Sequence, residues 1–520
     1  PSSFYPPFAF IEDSIVGVVP PPHSRLFHPK IWVLRFRSDT DSDTGYLHRV
    51  LILSRNLTMD NSWDTILVLD EDADGVIDAA PAAEFIRSLP KLSLRRIAPA
   101  HDRRVADVAR TLQSVRLAAP PPYTGGYLKG IGLEKSTFWP FPTSALRVLA
   151  ISPFLTNSAV RKLERIPQGG ANNARILVSR SESLDSLNPK SFGGFATKTL
   201  IDDLPADGGA IENEVVLSEV AELVLKEHRG LHAKTYIVDL NSRRNRPDIS
   251  RTITGSANLT SPRWGNSVEF VSVLEGLTAE TGVHATYFGS RYRGENGLEP
   301  KEGAEGLSTL LVDHKISQQA TPLQSVKLAR AVEQYHRELA QALPRLHVTA
   351  EPLDQTVPSD APRMQIDWSF EMALPVAPQR SHTTMWLASA KPATSVEGVP
   401  ARGTWKVAHE SVTPFVAVET RIAIGAGEAR EEVTRRCLLK ASLTGDTEWR
   451  QKEQMFDVLR SREDILRYLM FLLGGPIEAV SDPTVGTREV GGAAGQMTGD
   501  LTPVVFERLV RATGRDGDAL

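Results

Sequence analysis

The chain has one cysteine, Cys437, in 520 residues. No intramolecular disulfide is possible, cysteine-based zinc sites are excluded, and a reducing compartment, the cytoplasm, is the expected location. No apolar run reaches the ~18 residues of a membrane helix. The best candidate, "ILRYLMFLLGG" (465–475), carries Arg467, runs into Pro476 and reads as a buried helix. The opening residues show no secretory-leader pattern. A net charge of -4 argues against a generally basic nucleic-acid coat, though not against a local basic cleft. No G-x-x-x-x-G-K-S/T pattern is present, so this sequence supplies no P-loop ATPase.

What is present is ordinary globular composition, 41% hydrophobic and 23% charged, in a chain long enough for two to four domains. The first 75 residues alternate turn clusters with strand-like runs: "IVGVV", "KIWVLRF", "HRVLILS", "TILVLD". Residues 81–118 turn helical, and "AAPPPYTGGY" (118–127) reads as a loop or linker. A second block starts at "LRVLAISPF" (146–154) and mixes strands with the helix-like "EVAELVLKEH" (219–228). The spacing predicts an amphipathic helix over 323–343 that closes this block. Beyond residue 349 the texture is β-rich, with Trp368, Trp386 and Trp405 and a helical tail at 452–473. The expected organisation is α/β: blocks at 1–145 and 146–322, a connecting helix at 323–348, and a C-terminal domain at 349–520 with no catalytic motif.

The two blocks share an internal repeat. "LFHPKIWVL" (26–34) aligns with "GLHAKTYIV" (230–238), "SRNLT" (54–58) with "SANLT" (256–260), and "NSWDTILVLD" (61–70) with "NSVEFVSVLE" (266–275). His to Asn is 56 − 28 = 28 residues in the first copy and 258 − 232 = 26 in the second. Three matched elements in order point to duplication. Residues i and i+2 of a strand share a face, so His28 with Lys30, and His232 with Lys234, are expected side by side on buried strands. A buried lysine is costly without an anion. Two facing copies would gather His28, Lys30, Asn56, His232, Lys234 and Asn258 around one pocket, and a phosphodiester is the natural guest.

H-x-K-(x)4-D followed by G-S-x-N resembles the signature of the phospholipase D superfamily, which His232, Lys234, Asp239, Gly255, Ser256 and Asn258 match in full. The first copy departs from it, with Arg35 in place of the Asp and "LSRN" in place of "GSAN". That Asp-less set is more similar to phospholipase D-type nucleases and to the tyrosyl-DNA phosphodiesterase branch. The resemblance covers roughly residues 20–280. It implies two α-β-α sandwich repeats related by pseudo-twofold symmetry and metal-free, cofactor-free cleavage in two steps. One histidine, by analogy His28, attacks phosphorus; the other, His232, serves as acid and then base. The lysines and asparagines would bind non-bridging oxygens. Asp64 and Glu269 would orient the imidazoles, with Asp239 in a structural role. Ser54 and Ser256 would add donors, and Arg55 and Arg263 would grip the substrate backbone.

The implied substrate is nucleic acid, DNA first, and by analogy the setting is bacterial restriction or antiphage defence beside a motor or defence-complex subunit. No membrane is expected, and either a monomer or a homodimer fits, because one chain holds both motifs. A lipid phosphodiesterase and a catalytically silent interaction protein are the alternatives. The loop "NSRRNRPDISR" (241–251), with Arg243, Arg244, Arg246 and Arg251, reads as a solvated hairpin, or else as a phosphate-attracting rim. The three tryptophans read as core, with base stacking the competing role. His228 and the remaining histidines outside the repeat read as ordinary side chains.

Overall fold

The computed structural model describes residues 12–20, 26–37, 45–56, 62–134, 137–167, 174–191, 194–201, 230–241, 247–261, 264–289, 306–314, 323–350, 363–424, 431–447 and 449–450. The chain is mixed α/β with several sheets, and it divides into two compact units, residues 16–324 and residues 1–15 with 325–520. No helix among the described residues is long and apolar enough to cross a membrane. The expected helices at 219–228 and 452–473, and the apolar run at 465–475, lie outside the described residues.

In chain order, residues 16–324 form β1 (Leu26–Phe27), β2 (Ile31–Arg37), β3 (Tyr46–Leu53), β4 (Ile66–Asp70), β5 (Ile77–Asp78), α1 (Ala80–Ser88), α2 (Pro99–Leu112), β6 (Arg116–Leu117) and β7 (Tyr123–Ile131). There follow β8 (Arg147–Ile151), α3 (Asn157–Glu164), β9 (Arg175–Val178), α4 (Ser181–Asp185), β10 (Ala196–Leu200), β11 (Thr235–Asp239), β12 (Ile249–Gly255), β13 (Ser267–Leu277) and β14 (Leu311–Asp313). The main sheet runs β1-β13-β12-β11-β8-β9-β10-β14, with β7 also on β13. Strands β8, β9 and β10 are parallel, whereas β11, β12 and β13 form an antiparallel meander.

Alternation along the strands sends side chains to two cores. Val148 and Ala150 pack with Ala159, Val160 and Leu163 of α3; Leu149 and Ile151 pack with Val283, Tyr287 and Phe288 on the other face. The second block is thus a sheet covered on both sides. The first block is a smaller antiparallel meander, β2-β3-β4. Its inner face, Val50, Ile52, Leu67 and Leu69, packs with Phe85, Leu112, Val268 and Phe270. Its outer face exposes Trp32, Phe36, Leu47, Ile66 and Val68.

Several sequence expectations are corrected. "IVGVV" makes only an isolated bridge, Val18 to Ser93. The expected linker at 118–127 contains the start of β7, which pairs with β13, so a boundary at 145 would cut through one sheet. The glycines that suggested a loop mark close approach instead: a Cβ on Gly126, at φ +154°, would sit 2.4 Å from the Val273 carbonyl oxygen. The helix Leu323–Gln341 belongs mainly with the C-terminal unit, where Tyr335 and Leu339 join its core, rather than closing the second block.

That unit also begins earlier than residue 349. Strand β15 (Pro344–Ala350) precedes β16 (Arg363–Phe370), β17 (Ser381–Leu387), β18 (Val396–Glu397), β19 (Arg402–Ala408), β20 (Phe415–Ile424), β21 (Glu431–Lys440) and β22 (Ser442–Gly445). They form two four-stranded sheets, β19-β16-β15-β22 and β18-β17-β20-β21, which share one core. Trp368, Trp386 and Trp405 are all buried, and Trp368 packs on Trp405 at 5.4 Å, so they are not an open stacking platform. Glu12 belongs here too: the buried Arg450 guanidinium donates to both of its carboxylate oxygens at 2.8 Å.

Removing one partner of so buried a pair strands the other charge, at a cost of about 3 kcal/mol or more. Glu12→Ala is therefore expected to lower the C-terminal unit's melting temperature by several degrees in calorimetry. An unchanged transition would show that the pair contributes nothing.

Candidate active site

Both H-x-K triplets lie immediately before strands, not within them as the sequence suggested. Each begins where a backbone bridge crosses to the other block. Phe27 pairs in parallel with Val268, and the His28 N–H donates to the Val268 carbonyl at 2.9 Å. Leu231 bridges in parallel to Trp63, and the His232 N–H donates to the Trp63 carbonyl at 2.9 Å. Strand pairing repeats as well. Ile31 faces Ile52 as Thr235 faces Thr254, each the residue after its lysine paired with the second residue before its serine. Leu53 faces Ile66 as Gly255 faces Val271, the latter of each pair two residues beyond its carboxylate.

The serines are fully buried clasps. Ser54 Oγ accepts the Thr65 N–H at 2.9 Å, and Ser256 Oγ accepts the Phe270 N–H at 3.0 Å. Ser54 Oγ also donates to Asp64 at 3.2 Å, and Ser256 Oγ to the Phe270 carbonyl at 3.3 Å. Both hydroxyls are thereby committed to joining strand ends, unlike the substrate donors expected from sequence. Gly255 has φ +147°, and a Cβ there would meet the Phe270 carbonyl oxygen at 2.4 Å, so this position requires glycine. The first copy has Leu53 at the matched place.

The carboxylates reach across to the opposite copy. His28 Nδ1 lies 3.3 Å from Glu269, and His232 Nδ1 lies 3.8 Å from Asp64. The first distance is a hydrogen bond; the second is too long for one. Asp64 is held instead by Arg55 at 2.8 Å. Each lysine curls back onto its own histidine, Lys30 Nζ to the His28 carbonyl at 2.9 Å and Lys234 Nζ to the His232 carbonyl at 2.8 Å. Lys234 Nζ also donates to the Ser54 carbonyl and to His232 Nδ1, both at 3.0 Å.

The remaining expected residues fall into place unequally. Asn56 is exposed, whereas Asn258 is half-buried, and its buried Oδ1 has no hydrogen-bond partner among the described residues. Asp239 is fully buried at the far end of β11, bound to Arg147, Ser250 and the Val283 N–H. Arg251 pairs with Glu275 at 2.8 Å. Arg263, Arg243, Arg244, Arg246 and His228 lie outside the described residues. Among the described residues no group of three or more His, Cys, Asp or Glu is gathered to hold a metal ion.

Arg180 was not anticipated. It follows β9, and its Nε donates to the Leu231 carbonyl at 2.8 Å, beside His232. No repeat could reveal it, because the first half has no counterpart to the parallel pair β8-β9 among the described residues. A cation directly after a strand end was the only available signal.

The charges do not balance. Lys30, Lys234, Arg55 and Arg180 surround two carboxylates, Asp64 and Glu269. Burial lowers Lys30 to about 8, with Glu269 opposing. Burial, then repulsion from Lys30, lowers Lys234 to about 7, with Glu269 and Asp64 opposing. Burial and then the charges of Lys234, Arg180, Lys30 and Arg55 hold His232 at about 3, so it is neutral at pH 7. Burial raises Asp64, against the pull of Arg55, Ser54 and Lys234. The cluster thus holds desolvated ammonium groups with too little negative charge beside them.

Comparisons with family models, curated proteins and solved structures give no match.

The depressed lysines fix a sign. Between their folded values, about 7 and 8, and the ordinary 10.5, the unfolded chain binds more protons, so stability gains from these groups as pH rises. An anion reverses this by favouring the ammonium forms. Sulfate, whose own charge is constant here, is expected to raise the melting temperature at pH 7 and progressively less towards pH 10. A sulfate effect independent of pH would place its binding away from Lys30 and Lys234.

Proposed function

We propose that residues 16–324 form a phosphodiesterase of the phospholipase D type, built from two unequal copies facing one another about a pseudo-twofold axis, and acting on nucleic acid. The observation that carries the reading is reciprocity. His28 and His232 are fixed by matched backbone bonds to the opposite copy, and the matched carboxylates Glu269 and Asp64 each approach the other copy's imidazole. Ordinary core histidines have no reason to repeat such a pattern, and a silent interaction protein would not need two buried lysines beside them.

The hydrogen bonds favour different roles for the histidines. Glu269 accepts from His28 Nδ1–H, which leaves the Nε2 lone pair for attack on phosphorus. Lys234 donates to His232 Nδ1, which leaves the proton on Nε2, ready for the leaving oxygen. In the first step the His28 Nε2–P bond forms and the P–O bond to the leaving group breaks, and that oxygen takes the His232 proton. In the second step His232 removes a proton from water, the hydroxide attacks phosphorus, and the N–P bond breaks. Lys30, Lys234 and the amide of Asn258 contact the non-bridging oxygens. Burial first, and then the surrounding positive charges, hold His232 at about 3; a bound phosphate offsets those charges, bringing it back towards a working acid.

The excess of cations over carboxylates supports a polyanionic substrate. The exposed apolar face of β2, β3 and β4 is the observation that favours a lipid instead. A panel of single- and double-stranded DNA, RNA and phosphatidylcholine vesicles separates them. Nucleic-acid cleavage that survives EDTA is expected; lipid turnover alone would replace the substrate assignment, and strict metal dependence would remove the mechanism. His28→Ala and His232→Ala are each expected to lower kcat by about 10³-fold or more on natural diesters.

The roles separate with a p-nitrophenyl phosphodiester, whose leaving group needs no acid. His232→Ala is expected to accumulate phosphohistidine at residue 28, seen by mass spectrometry. Label at residue 232 in His28→Ala would reverse the roles.

A further inference from the structure

The two halves of the cleft differ most where β8 and β9 end. These parallel strands deliver Ser152-Pro153-Phe154 and Ser179-Arg180 beside the second histidine, and the ends of such strands are where α/β sheets bind ligands. Phe154 is 46% exposed, while its neighbours Leu155 and Pro153 are buried. The Arg180 guanidinium carbon sits over the Phe154 ring, 5.3 Å from its centroid. Arg180 is in turn tied to the Leu231 carbonyl.

The loop carrying Phe154 is equally fixed on the other side. Ser152 Oγ accepts the Leu259 N–H at 3.0 Å and donates to the Phe154 carbonyl at 2.9 Å. Leu155 bridges to Leu259, and the Thr156 N–H donates to the Leu259 carbonyl at 3.1 Å. The exposed ring is thus anchored at one end next to His232 and at the other next to Asn258. A lone exposed apolar ring is ordinary on a protein surface. Phe154 is set apart by the guanidinium over its ring, tied to the residue before His232, and by the clasp of its loop to the residue after Asn258.

We propose that Phe154, backed by Arg180, is a stacking platform for the nucleobase adjoining the phosphate, so that the site takes unpaired nucleotides in one orientation. The inference rests on the phosphodiesterase reading for its substrate and adds to it the base, the strand state and the polarity. A ring face accepts any base, and arginine adds a cation–π contribution. A base inside a duplex is already stacked and cannot use the platform, so single strands are selected. The described part of the first copy has no counterpart to β8 or β9, so the platform lies on the His232 side and sets which way a strand enters.

The test separates binding from turnover. The full chain carrying His28→Ala, in EDTA, is titrated into a fluorescein-labelled oligothymidylate and into its abasic equivalent of equal length, followed by anisotropy. The base-bearing strand is expected to bind at least about tenfold tighter, in line with stacking of one or two bases. Adding Phe154→Ala is expected to bring that ratio to within about twofold, and Phe154→Trp to preserve it. A ratio unaffected by Phe154→Ala, or equal or absent binding of both strands, overturns the platform. Wild-type chain assayed in parallel keeps the two readings apart. Cleavage with a ratio indifferent to Phe154 removes the platform alone. A Phe154-dependent ratio without cleavage supports the platform and removes the phosphodiesterase reading.

Discussion

Two ammonium groups, Lys30 and Lys234, are almost completely removed from water in the same cleft, and each depresses its neighbours' affinity for protons. An unpaired buried cation is among the most costly groups a fold can hold. Here the cost is offset by carbonyl acceptors from His28, His232 and Ser54, and by the charges of Glu269 and Asp64. Much of the local architecture follows from that requirement. The chain must bring carbonyls and carboxylates from residues 28–64 and 232–269 to one place, and it does so by bridging Phe27 to Val268 and Leu231 to Trp63.

The two contributions match in local geometry and differ in mass. Each is an antiparallel meander with the same register, the same buried serine clasp and the same lysine fold-back. Around this the second half has parallel strands, α3 and a sheet buried on both faces; the first has three strands packed on α1 and α2 on one side and bare on the other. The inequality reaches the chemistry. Glu269 is within hydrogen-bond distance of His28, while Asp64 is drawn off by Arg55 and stands 3.8 Å from His232. Near-equal sequence motifs therefore give the two imidazoles different Nδ1 neighbours, Glu269 for His28 and Lys234 for His232.

The repeat was legible because its parts are local. His28, Lys30, Ser54, Asn56 and Asp64, with their counterparts, recur in order at close spacing, and a meander needs only short turns to bring them together. β2, β3, β4, α1, α2 and β8 were legible for the same reason: alternation or helical spacing within a few residues. β7 was hidden because Gly125 and Gly126 look like a turn, although they serve a close backbone approach. The allegiance of Glu12 and of the helix Leu323–Gln341 was hidden because it depends on partners far away in sequence, such as Arg450 and the strands after residue 344.

The sequence by itself determined the strands, the duplicated motif and the residue types that could handle a phosphodiester, since each depends on periodicity or spacing along the chain. Only the tertiary structure decided that each carboxylate approaches the histidine of the other motif, that the serines hold strands together, and that Arg180 lies over Phe154 and is tied to the residue before His232. The physical reason is range. Hydrogen bonds and charge interactions operate over a few ångströms, and Glu269 lies 241 residues from the histidine it holds.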